Sequence, residues 1–188
     1  MRGVHRCASM PRPAPHIRNK KSMRSERERL EEQLRLVFDG EAWHGPSVME
    51  ALKDVNAELA AQHPIDGAHS IWELVLHLTW TYGLVLRKLT GHSTRLEATD
   101  DWPHVPLPPS EENWVATIDT LRELNAQVRH AVTGFPDDRL DDPPAEDPRH
   151  SAYTQLIGLT QHDAYHAGQI VLLKRAAQAG RRQTAHDA

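Results

Sequence analysis

Cysteine is almost absent: Cys7 is the only one in 188 residues, which excludes an internal disulfide framework and any cysteine-based metal site. Any metal would have to be held by histidine or carboxylate. No run of 18 apolar residues occurs, and there is no apolar stretch of the kind a secretory signal carries, so the chain reads as cytoplasmic with no membrane partner. Strand signals are equally thin. Short pieces such as Ile170-Val171 are the only β-branched runs, no βαβ alternation is present, and no internal repeat is found.

Acidic residues are missing from the first 24 positions, which hold seven Lys or Arg. The remainder carries 15 basic against 26 acidic residues, so the folded part is acidic and nucleic acid is not an expected partner, since phosphate neutralisation needs a clustered basic surface. Residues 1–24 contain Pro11, Pro13 and Pro15 without apolar periodicity and read as a disordered basic extension, within which Met10 and Met23 offer later starts. Serine and amphipathic spacing are too sparse there for a transit sequence.

What is present is helix. Ser25 with Glu28, Ser47 with Glu50 and Ser70 with Glu73 each have capping-box spacing, which satisfies two otherwise unpaired amides reciprocally. The first helix is expected over about 25–38 on Leu30, Leu34, Val37 and Phe38. After the Trp43-His44-Gly45-Pro46 break, residues 47–61 form a separate helix or the second half of a bent one. From Ser70 to Leu89, Ile71, Leu74, Val75, Leu78, Tyr82 and Val85 hold one stripe while Trp72, Leu76, Trp80 and Leu84 cover other faces, predicting a helix buried on several sides. A Pro-rich crossover over 91–110 leads to a helix capped by Ser110 that runs to about Val132. A second Pro- and Asp-rich loop spans 134–149, before a last helix over about 151–177. The expected fold is all-α, a four-helix bundle with long crossover loops over residues 25–178, followed by a flexible tail at 179–188.

The last helix carries His162 and His166, four residues apart and therefore one turn apart on a single face. With 13 histidines in 188 residues, about one such pair arises by chance, so the context decides. A wheel centred on His162 gathers Gly158, Tyr165, His166 and Gln169 and turns Asp163 and Lys174 aside. Gly158 opens room beside the pair, and Tyr165 and Gln169 can orient the imidazoles or a ligand. A third ligand from another helix fits the three-ligand habit of catalytic zinc sites. His77, on the flank of the most apolar helix, is the best placed, and His44 in the loop is a spare. The plainer alternative is a core histidine bonded to a carbonyl and an ordinary pair of surface imidazoles.

Three segments, Trp43-His44-Gly45-Pro46-Ser47, His69-Ser70-Ile71-Trp72-Glu73-Leu74-Val75-Leu76-His77-Leu78 and His162-Asp163-Ala164-Tyr165-His166-Ala167-Gly168-Gln169-Ile170, together resemble the DinB-like superfamily. The resemblance covers roughly residues 25–178. It implies a four-helix bundle in which His77, His162 and His166 bind a divalent metal, zinc or nickel. It also implies homodimers and, among the activities of the superfamily, thiol-dependent transferases and isomerases that use a low-molecular-weight thiol cosubstrate on small-molecule substrates. Three functions remain open: a metal-dependent transferase of thiol type, a metal-dependent hydrolase, and a non-catalytic metal-binding or stress-related binding protein. Transfer ranks above hydrolysis because no general base is clearly placed, Asp163 being about 100° from the histidine face.

Overall fold

Each serine expected to open a helix does so. In the computed structural model, which describes residues 24–92, 101–144 and 149–186, Ser25, Ser47 and Ser70 each accept from the amide three residues on, and Glu28, Glu50 and Glu73 reach back to the serine amides. These boxes start α1 (Glu26–Asp39), α2 (Val48–Leu52) and α4 (Ile71–Leu89). Between α2 and α4, a second short helix, α3 (Ala57–Ala60), is capped by the Asn56 side chain. The segment 47–61 is thus two short helices. Asp54 adopts a left-handed φ of 61°, and the chain re-enters helix only where Asn56 accepts from the Leu59 amide. Ser110 caps α5 (Glu111–Gly134), and α6 (Ala152–His186) completes the series. Nine residues of α6 lie beyond the Ala177 end expected from the sequence. Nearly all of the basic segment 1–24 lies outside the described residues, as do 93–100 of the first long loop and 145–148 of the second.

Four long helices form the bundle. α4 packs on α5 and α6, and α1 packs on the same two, which leaves α1 diagonal to α4 and α5 diagonal to α6. No strand occurs among the described residues. The central position of α4 follows from its sequence: none of its residues before Arg87 is exposed, and Ile71, Trp72, Val75, Leu78 and Tyr82 are fully buried. Burying each such side chain contributes about 1.5–3 kcal/mol. Two of the buried tryptophans have their indole hydrogens paired, Trp72 Nε1 donating to Thr117 Oγ1 at 3.2 Å and Trp114 Nε1 to the Val55 carbonyl at 2.9 Å, whereas the buried Trp80 Nε1 has no partner among the described residues. Across the other side, Arg129 of α5 bridges Glu31 and Asp39 of α1, both at 2.8 Å. No helix among the described residues is long and apolar enough to cross a membrane.

The short helix α2 packs on α6. Lys174, a residue that the helical wheel turned aside, is half-buried and reaches the Ala51 and Lys53 carbonyls at the C-terminal end of α2. A cation at that end meets unpaired carbonyls and the negative pole of the helix.

Candidate metal centre

The facing sides of α4 and α6 bring three imidazoles together. His77 Nε2 lies 2.9 Å from His162 Nε2, and His166 Nε2 lies 3.1 Å from the same atom. All three ligand atoms are within 4.8 Å of one another, and His77 and His166 are buried.

The rear nitrogens decide what the front ones can be. His77 Nδ1 is 2.8 Å from the Asp101 carbonyl oxygen and 3.0 Å from its Oδ1, and since both oxygens only accept, Nδ1 carries the hydrogen. Its Nε2 is then a bare lone pair. His166 Nδ1 likewise donates to Gln169 Oε1 at 2.6 Å, while Gln169 Nε2 donates to the Tyr165 hydroxyl at 3.2 Å. His162 Nδ1 is buried without a partner. Two lone pairs therefore face His162 Nε2, which as a neutral ring brings at most one hydrogen and can satisfy only one of them. Adding a proton is opposed, because burial first, and then the His166 and His77 rings, hold His162 down at about 4. Burial also lowers His166, against the opposing hydrogen bond to Gln169. A divalent cation satisfies all three nitrogens at once. A tetrahedral zinc with ligands at 2.0–2.1 Å sets its nitrogens about 3.3 Å apart, close to the spacings here. The donor set fits the ion.

A family model described as the DinB superfamily matches residues 43–170, which spans all three histidines. The chain belongs to the DinB superfamily. Neither the search of curated proteins nor that of solved structures returned a match.

In this DinB-superfamily chain, the long loop before α5 supplies part of the site. Trp102 stacks on His77 at 4.2 Å and 7°, and on His69 at 3.6 Å and 6°. Two rings parallel to Trp102 and this near its centre would overlap on one face, so they occupy opposite faces. His69, Trp102 and His77 form a three-layer stack that packs the loop against α4. Asp101 and Trp102 carry no periodicity and no spacing to the histidines, so nothing in the sequence marks them. His69, directly before the Ser70 cap, was legible only as an ordinary helix-end histidine.

Of the other residues singled out from the sequence, Gln169 and Tyr165 touch the cluster as described, with Tyr165 64% exposed at its rim. Gly158 is exposed, and a Cβ built on it meets nothing within 4 Å, so no close approach requires glycine there. His44 is exposed in the turn before α2 and stands outside the three-histidine group.

Asp163 is the main correction. Expected to turn aside, it is fully buried, 0% exposed, and accepts from the Tyr82 hydroxyl, which in turn accepts from Asn125 Nδ2 at 2.9 Å. The buried stripe of α6 runs through Leu156, Leu159, Asp163, His166, Ala167, Ile170 and Leu173. On a helical wheel Asp163 lies about 20° from the centre of that stripe and His162 about 80°. The helix is rotated so that His162 sits at the edge of the core and Asp163 inside it. Burial pushes Asp163 up to about 7, against the lowering effect of the Tyr82 hydrogen bond. Tyr82 is raised well above its usual range by burial and by the Asp163 carboxyl.

Proposed function

We propose that the chain binds one divalent metal ion, zinc or nickel, through Nε2 of His77, His162 and His166, and acts as a metal-dependent transferase of thiol type on small molecules. The observation that carries this reading is the convergence of three Nε2 atoms of which at most one bears a hydrogen. A three-histidine ion leaves a position for water or a thiol and favours its deprotonated form. The chain's own residues divide the remaining work. Asp101 and Gln169 fix the tautomers of His77 and His166, and the Asp101–Trp102 loop covers one side of His77.

Transfer is favoured over hydrolysis by the carboxylates. Hydrolysis needs a general base within reach of a bound water. Asp101 is engaged behind His77 at Nδ1, away from the Nε2 convergence, and Asp163 points into the core at Tyr82. The chain's single cysteine is also far away in sequence, at position 7, so an exogenous thiol is the expected sulfur source.

The test is elemental analysis by plasma mass spectrometry of protein purified without a histidine tag, beside the His77→Ala and His162→Ala variants. Near-stoichiometric metal lost in both variants supports the site. Conjugation of 1-chloro-2,4-dinitrobenzene to a small thiol by loaded protein, but not by the variants, then supports transfer. A wild-type chain that neither carries nor takes up metal on titration removes the reading.

A further inference from the structure

A cavity of about 430 Å³ opens beside His166, between α6, the segment before α4 and the Trp102 loop. This is within the range of small-molecule sites. Its walls are aliphatic, with Ile65, Leu74, Leu172 and Leu173, and Trp102 and Tyr165 stand at the edges. None of its lining residues is Lys, Arg, Asp or Glu, in a chain of which 26% is charged. Leu172 is 59% exposed at the mouth.

Gln169 and Tyr165, which share the cavity wall with His69 and His166, have a consistent sense. Gln169 Oε1 is taken by His166 Nδ1, and Gln169 Nε2 donates to the Tyr165 oxygen. What these two side chains leave for an occupant is the Tyr165 hydroxyl hydrogen and the second hydrogen of the Gln169 amide, both donors. Away from the histidine cluster, an ionised occupant would lose its hydration without meeting a Lys, Arg, Asp or Glu side chain, which is costly, whereas an apolar body with one acceptor group loses little.

We infer that this cavity takes an uncharged, largely apolar small molecule bearing a hydrogen-bond acceptor, which sets the substrate class of the histidine site. Naming the occupant a substrate rests on the metal reading above. The cavity's selectivity for neutral molecules does not.

The experiment uses the full chain without added metal and a matched pair of dyes, neutral N-phenyl-1-naphthylamine and its sulfonated counterpart 8-anilinonaphthalene-1-sulfonate, followed by fluorescence titration. The neutral dye is expected to bind one per chain and at least tenfold more tightly than the sulfonate. Leu172→Asp and Tyr165→Ala, both at exposed positions where folding is retained by circular dichroism, are expected to weaken the neutral dye at least tenfold. Ala126→Asp, in the open groove between α4 and α5, controls for binding elsewhere and is expected to change nothing. Equal or tighter binding of the sulfonate, no binding of either dye, or loss only with Ala126→Asp overturns the inference. Metal uptake is read separately on the same protein. Neutral-dye selectivity without metal uptake keeps the cavity and removes the enzyme, while metal uptake with sulfonate preference does the reverse.

Discussion

His77 Nε2 and His162 Nε2 lie 2.9 Å apart across 85 residues of sequence, so an ion held by both ties α4 to α6 directly. Binding to the folded state alone stabilises it by RT ln(1 + [L]/Kd), about 2.7 kcal/mol at a hundredfold excess over Kd. Zinc added to metal-free protein is therefore expected to raise the unfolding midpoint by several degrees, with no shift in His77→Ala. An equal shift in both proteins would place the ion elsewhere.

The carboxylate of Asp101 stands 3.0 Å from the Nδ1 of His77 while its backbone carbonyl stands at 2.8 Å. Asp101→Ala removes the first contact and keeps the second. Partners of this kind contribute about 10- to 100-fold in metal affinity when lost altogether, so a loss toward the lower end is expected by competition with a chelating indicator. Unchanged affinity would mean that the carbonyl alone orients the ring.

Tyr82→Phe leaves Asp163 Oδ2 and Asn125 Nδ2 without their shared hydroxyl in a fully buried setting. Unsatisfied buried polar groups cost about 1–3 kcal/mol each, so with two such groups urea unfolding should show a loss of about 2–6 kcal/mol. Metal stoichiometry should persist, because neither Tyr82 nor Asn125 belongs to the histidine group. A neutral variant would show that water or rearrangement satisfies the pair.

Glu73 is held below the usual carboxylate range: burial raises it, but hydrogen bonds from the Ser70 amide and hydroxyl and its pairing with His63 outweigh that. A carboxylate whose pKa is lowered by folding stabilises the folded state at neutral pH, and this contribution is lost as pH falls through the folded pKa. Acid unfolding of wild type should therefore be steeper below about pH 4.5 than that of Glu73→Gln, the interval starting at the unfolded carboxylate. Superimposable acid limbs would argue that the cap survives protonation.

Gly158→Ala is expected to raise stability by roughly 0.5–1 kcal/mol, the helix-interior cost of glycine, since the added methyl meets nothing within 4 Å. Thermal unfolding reads it. A destabilised or metal-deficient variant would restore the idea that the site needs the missing side chain.

Much of the fold was legible because its determinants are local. The three Ser-x-x-Glu boxes, the apolar stripe of 70–89 and the i,i+4 pair His162 and His166 depend only on neighbours within a turn or two, and each appears where its spacing put it. The break at 53–56 was not legible: residues 47–61 read as a single helical segment, and their division into two short helices turns on Asp54 adopting a left-handed φ.

The sequence by itself determined that this is an all-α chain of the DinB superfamily with a histidine pair on one face of its last helix, for periodicity fixes which side chains share a face. It could not determine how far each helix is rotated about its own axis against its neighbours. That rotation, set by the packing of α6 on α4, put Asp163 in the core beside Tyr82 and left His162 at its edge facing His77. The same holds for the loop: Asp101 and Trp102 reach His77 across 24 and 25 positions, a distance that no local propensity encodes. Only the tertiary structure decided that the rear nitrogens of His77 and His166 are occupied, and with them that two Nε2 lone pairs face the His162 ring.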